Sequence, residues 1–121
     1  MASLLEQLRG YTTVVADTGD INSIHQFRPQ DSTTNPSLIA TAAEKPEYAP
    51  IVDGVLKQDR KDAAPNASDH DVAALAFKSL AVAFGKKILE IIPGRVSTEV
   101  DARLSYDTEK SLAVARDIMA Q

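Results

Sequence analysis

The chain has 121 residues and a mass of 13.0 kDa, enough for one domain at most. A net charge of −4, a pI near 5.1 and the lack of any Lys/Arg run interleaved with aromatics argue against nucleic acid or an anionic membrane as partner. With no cysteine, disulfides, thiol catalysis and zinc–thiolate sites are excluded.

Ser3 and Glu6 stand at capping-box spacing and Gly10 suits a helix end, which predicts a short opening helix. The same segment mixes charges into too short an apolar pattern for a signal peptide or anchor. No apolar run approaches the ~18 residues of a membrane helix, so a cytoplasmic location is expected. Residues 11–16, rich in Thr and Val, predict a first strand. Asp20 is placed to cap a helix whose apolar positions Ile21, Ile24 and Phe27 are spaced by three.

Residues 31–34 predict a second strand of weak propensity, and Asn35 followed by Pro36 predicts a helix start. Tyr48, Ile51, Val52, Val55 and Leu56 then follow i, i+3, i+4, i+7, i+8 spacing, the cleanest amphipathic helix in the chain. Residues 58–68 are polar, carry Pro65 and Asn66, and read as a loop. Asp69 is expected to cap a long helix with Val72, Leu75, Ala76, Leu80 and Ala83 on one stripe. The apolar run 88–92 reads as its continuation, ended by Pro93-Gly94. Residues 95–101 predict a third strand, with Val96, Thr98 and Val100 alternating against Ser97, Glu99 and Asp101. Asp107 opens a last helix through Leu112, Ala115, Ile118 and Met119.

After the opening helix, a strand followed by helices recurs three times. That order predicts an α/β fold, a parallel sheet with helices packed around it. Three polar clusters fall at or near the ends of the predicted strands: Asp17-Thr18-Gly19-Asp20, Thr33-Thr34-Asn35-Pro36 and Ser97-Thr98-Glu99-Val100-Asp101. Strand carboxyl ends are where (β/α) barrels collect their site residues. Two carboxylates in unlike surroundings, Asp17 and Glu99, would suit proton transfer, and the Asn35 amide would suit a substrate hydroxyl or carbonyl. Each residue also has a plainer reading. Asp17 fits a turn cap, Asn35 a helix cap, Glu99 a solvated strand face and Thr33 an ordinary strand residue.

Other candidates carry less. Asp69-His70-Asp71 has the residue types of a metal site, but capping and solvation at a helix start explain it. His25 reads as a surface helix residue, and the five glycines are isolated, so no phosphate loop exists. Arg95 and Arg103 flank the third strand as candidate ion-pair residues. Asp17-Thr18-Gly19 is also the active-site triplet of aspartic proteases, whose fold is nearly all β. At least five helical patterns surround the triplet here.

Residues 11–20 (YTTVVADTGD), 30–39 (QDSTTNPSLI) and 93–108 (PGRVSTEVDARLSYDT) together resemble transaldolase, in the family's order and across essentially the whole chain. The resemblance implies the N-terminal portion of a TIM-type (α/β)8 barrel, about three strands with surrounding helices, as one incomplete domain over residues 1–121. It implies transfer of a dihydroxyacetone unit from sedoheptulose 7-phosphate to glyceraldehyde 3-phosphate through a lysine Schiff base, without metal or other cofactor. Asp17 would handle the proton of the C4 hydroxyl and Glu99 would relay protons through a water. Asn35 and Thr33 would contact substrate. Sugar phosphates are the implied partners, and a homodimer at full length is allowed.

In the family the Schiff-base lysine lies on the fourth barrel strand, beyond residue 121. The seven lysines here all fall in helix or loop contexts, where no burial at a strand end would free an amine for attack. A barrel needs ~250 residues, so the chain reads as part of a longer protein and is expected to be inactive alone. The alternative is a non-catalytic transaldolase-like module that binds a partner or a sugar phosphate.

Overall fold

The computed structural model describes all of residues 1–121. Its elements are α1 (Leu4–Arg9), β1 (Val15–Asp17), α2 (Ile21–Phe27), β2 (Asp31–Thr34), α3 (Pro36–Ala43), α4 (Ala49–Asp62), α5 (Asp69–Leu89), β3 (Val96–Thr98) and α6 (Thr108–Ala120). Two 3-10 turns, Pro46–Tyr48 and Ala102–Leu104, complete the order. The strands form one parallel sheet, β1-β2-β3, in which sequence neighbours are spatial neighbours. Each parallel crossover is covered by helix, as a parallel sheet requires.

The local signals hold where they act within one turn of chain. Ser3 and Glu6 form both bonds of a capping box. Asp20, Asn35 and Asp107 each accept from a backbone amide two or three residues on, capping α2, α3 and α6. Pro36 opens α3 where its missing N–H is of no consequence.

Five features differ from expectation. The first strand is Val15–Asp17 rather than 11–16, and the third is Val96–Thr98 rather than 95–101. Both are paired only with β2, four residues long, which sets how far either ladder runs. Residues 58–62 are not loop but the end of α4. Gln58 donates to Asp62 one turn on (2.9 Å), and Asp59 turns inward to accept from the Ser79 hydroxyl of α5 (2.8 Å). The helix is broken only by the segment around Pro65. The cap of α5 is Ser68, in a capping box with Asp71, and not Asp69, which instead pairs with Arg60. α5 ends at Leu89, so Ile91 and Ile92 lie in the turn that follows.

Two buried clusters hold the layers together. Ile39, Ala42, Tyr48 and Phe84 join α3, the first 3-10 turn and α5, with Tyr48 edge-on to Phe84 at 5.5 Å between ring centroids. Ile24, Ile88 and Ile92 join α2 and the end of α5 beneath Ala16 and Val96 of the sheet. Much of the remaining apolar surface is open. Phe27, Leu75, Leu112 and Met119, all expected on buried stripes, are exposed. No helix is long and apolar enough to cross a membrane.

Two glycines make opposite demands. An ideal Cβ at Gly94 would fall 2.0 Å from Asp31 Oδ1 and 2.4 Å from the Gln30 carbonyl, because Gly94 lies against the start of β2 and donates its N–H to Gln30 O. At Gly54, exposed in mid-α4, a Cβ would meet nothing within 4 Å. In urea unfolding, Gly94→Ala is expected to cost about 1–3 kcal/mol by overpacking. Gly54→Ala should stabilise by about 0.5–1 kcal/mol through helix propensity. Equal effects of one sign would show that the packing at Gly94 is not as close as described.

Candidate active site

Successive strand residues face opposite sides of a sheet, and in register neighbours share a side. Ala16, Ser32, Thr34, Val96 and Thr98 therefore face the helices. Ser32 and Thr34 are buried there, and their hydroxyls donate to the carbonyls of Ala16 (3.1 Å) and Ser97 (3.2 Å). These bonds explain how so polar a strand tolerates the middle of a sheet: each buried hydroxyl ties β2 to one neighbour.

The other face carries Asp17, Thr33 and Ser97, which the register sets side by side across the three strands. Asp17 is the last residue of β1, Thr33 stands one before the end of β2, and Ser97 one before the end of β3. The Thr33 hydroxyl donates to Asp17 Oδ1 at 2.8 Å. Within this chain Asp17 and Ser97 are exposed and Thr33 is half-buried.

Asn35, just past β2, is half-buried. Its Oδ1 accepts the Leu38 N–H at 2.9 Å, which makes it the cap of α3, while its amide N–H groups have no partner. The cap reading and the ligand reading of Asn35 are thus compatible, since they use different atoms. Glu99 is not brought to Asp17. It follows the end of β3, is exposed, and makes no hydrogen bond or ion pair. It borders a cavity of about 450 Å³ between α5, α6 and the second 3-10 turn, with Leu75, Phe77 and Arg103.

Ser97 carries no signal in its own residue type; its place two residues before Glu99 in the predicted alternation of 95–101 is what marks it. The other candidates have structural roles. Arg103 is tied to Asp101 at 2.5 Å, Asp71 serves the capping box of α5, and His25 is exposed on α2. No three acidic or histidine side chains converge as metal donors. The seven lysines lie on helices or, for Lys45, just before the first 3-10 turn, and none is on a strand.

Behind the open face, Asp20 gathers more partners than a cap needs. Its Oδ1 accepts from the Asn22 N–H (3.2 Å) and the Tyr48 hydroxyl (2.5 Å), and its Oδ2 from Lys45 Nζ (2.7 Å) and the Ser23 hydroxyl (3.0 Å). The bond from Lys45, then that from Tyr48, holds the Asp20 carboxyl well below the usual carboxylate range. Burial first, and the bond to Asp20 second, raises the Tyr48 phenol, and Asp20 likewise raises Lys45.

Three parallel strands in sequence order, with helices between them and polar residues at their carboxyl ends, are the arrangement of part of a (β/α) barrel. The sequence model of the Transaldolase/Fructose-6-phosphate aldolase family matches residues 14–121, and the chain belongs to that family. It is 66% identical over 119 residues to a transaldolase of Nostoc punctiforme, covering 98% of this chain and 36% of that protein. It is 62% identical to one of Synechocystis, covering 98% of this chain and 30% of the relative, and 60% identical to one of Methylococcus capsulatus, covering 98% and 36%. The chain thus spans about a third of the length of the curated relatives it matches. Its three parallel strands and six α-helices are part of a TIM barrel.

Because the folded-state pKa of Asp20 lies below its ordinary value of 3.8, its contribution to stability is present above that pH and is lost as acid protonates it. Urea midpoints measured from pH 6 down to pH 3 should fall for the native protein. They should fall less for Asp20→Asn, which starts lower. Parallel acid limbs in the two proteins would show that Asp20 is not the group that titrates.

Proposed function

We propose that the full-length protein is a transaldolase, moving a dihydroxyacetone unit from sedoheptulose 7-phosphate to glyceraldehyde 3-phosphate to give erythrose 4-phosphate and fructose 6-phosphate. What supports this most is one observation: a carboxylate oriented by a hydroxyl at the carboxyl end of a parallel sheet, in a chain 66% identical to a transaldolase over 98% of its length. In the whole enzyme this chain would supply three neighbouring strands of the barrel and two carboxylates of the site. The lysine that forms the Schiff base with the ketose would come from a further strand. The same reading carries sugar-phosphate substrates, a cytoplasmic location, no nucleic-acid partner, and a homodimer as the form to look for.

The geometry suggests how the groups divide the work. Carbon–carbon cleavage requires a base to take the proton of the C4 hydroxyl while the electron pair of the C3–C4 bond moves into the protonated Schiff base. Thr33 occupies Oδ1 of Asp17, which leaves Oδ2 on the exposed face to take that proton. Asn35 has its carbonyl oxygen committed to the α3 cap, so it would meet the substrate as a donor. The role of Glu99, holding the water through which protons pass as the Schiff base forms and breaks down, rests on the family resemblance, since in this chain it stands apart from Asp17.

Full-length protein incubated with fructose 6-phosphate and borohydride should be trapped as a covalent adduct, and the 121-residue chain alone should not be. In the full-length protein, Asp17→Asn should lower kcat by about 10²–10⁴-fold, the range of general acid–base effects, with the ketose KM changed little. An unchanged kcat would overturn the role given to Asp17. Asn35→Asp keeps an oxygen for the cap and removes the amide donor. It should lower kcat/KM by roughly 10–100-fold, equivalent to about 1.5–3 kcal/mol for a hydrogen bond lost in the site, with the melting temperature nearly kept. A collapse in stability with normal kcat/KM would make Asn35 a cap alone.

A further inference from the structure

We propose that Tyr48 and Lys45 are positioning residues for Asp17: by clamping the Asp20 carboxylate from outside its own helix, they fix the β1–α2 turn that directly follows Asp17. The inference rests on the reading of Asp17 as the base of the reaction.

A helix cap needs one oxygen for one backbone amide. Ser3, Asn35 and Ser68 are held in that way, and Asp107 adds only the Lys110 ammonium of the same turn, so all their donors lie within three residues along the chain. Asp20 differs. Two of its four donors come from 25 and 28 residues away, one of them charged, and they reach both of its oxygens. Tyr48 does more than donate. Its hydroxyl oxygen also accepts the Asn22 N–H at 3.1 Å, so the phenol stands between the cap and the first turn of α2. Its ring is buried, 5% exposed, edge-on to Phe84 and beside Ile39 and Ala42. The clamp is therefore fastened to the hydrophobic core, not to the surface.

The turn between Asp17 and Asp20 leaves little freedom for that clamp to be lost in. Thr18 donates its N–H to the Thr33 carbonyl at 3.3 Å, and its hydroxyl accepts the Asp20 N–H at 3.0 Å. Gly19 is buried against α3, with an ideal Cβ only 2.8 Å from the Leu38 carbonyl. β2, α3 and the Lys45–Tyr48 segment thus bear on four residues from three sides. Asp17 itself is exposed and has a single side-chain bond, to Thr33. Its location is set by the backbone of that turn, and catalytic groups must be held to about 0.5 Å.

Tyr48→Phe removes one hydroxyl and keeps the ring in the core. In the full-length enzyme it should lower kcat by roughly 10–100-fold, the scale of a misplaced catalytic group, while the ketose KM stays within a factor of about two. The decisive measurement is the double variant. Because Tyr48 acts through Asp17, Asp17→Asn/Tyr48→Phe should have the kcat of Asp17→Asn to within about twofold, a non-additivity that a general loss of stability would not produce. Lys45→Met, at a half-exposed position, should show the same coupling to Asp17→Asn, and Lys45→Arg should recover most of the rate; this pair carries the test if Tyr48→Phe does not fold. If Asp17→Asn alone leaves kcat unchanged, the reading of Asp17 fails and the inference falls with it. If Asp17→Asn is slow but Tyr48→Phe and Lys45→Met turn over normally, or add their full loss to that of Asp17→Asn, the clamp is overturned and the reading of Asp17 stands.

Discussion

The pairing of β2 with a neighbour on each side is the constraint on which the rest of the molecule depends. Asp31–Thr34 is the middle of the three strands, and within these 121 residues β1 and β3 bond no other strand. A strand reading Asp-Ser-Thr-Thr is poor by propensity. It works because its two buried hydroxyls donate to carbonyls of the flanking strands, and because Asp31 Oδ1 accepts the Arg95 N–H at 2.7 Å where β3 begins. Side-chain bonds thus reinforce a ladder only three or four residues long. Gly94 completes the fit, since any side chain there would collide with Asp31.

That one strand also divides structure from chemistry. Its even residues, Ser32 and Thr34, are spent on cohesion against the helices. Of its odd residues, Thr33 turns to the open face and orients Asp17. The period of two along a strand means that a slip of one residue would bury Thr33 and expose Ser32. The turn after β1 then ties this face to the core, because Asp20 reaches Tyr48 and Tyr48 reaches Phe84. Core packing and the placing of the Asp17 carboxylate are parts of one connected network.

Asp59 shows a different balance. It is buried between α4 and α5, one oxygen satisfied by Ser79 and the other without a partner. Its neighbours Gln58, Arg60, Lys61 and Asp62 are all polar, and so a helical segment reads as loop by composition. What composition cannot register is that one polar residue in such a run meets a partner 20 residues away.

Read alone, the chain determined whatever depends on neighbours a few residues apart. The caps at Ser3, Asp20, Asn35 and Asp107, the order of strands and helices, and the gathering of polar residues at strand ends all follow from side chains meeting the backbone within one turn. So does the family resemblance, which lies in contiguous blocks around Asp17, Asn35 and Glu99. Strand lengths and the true extent of α4 were not legible, because β2 and Ser79 decided them; the cap of α5 is a local contest, in which the Ser68–Asp71 capping box wins over Asp69. Only the tertiary structure set Asp17 beside Thr33 and Ser97, left Glu99 apart from them, and made Asp20 a junction as well as a cap. The reason is distance along the chain. The bonds that do this join residues 16 to 63 positions apart, and a local pattern holds no record of which distant donor will arrive.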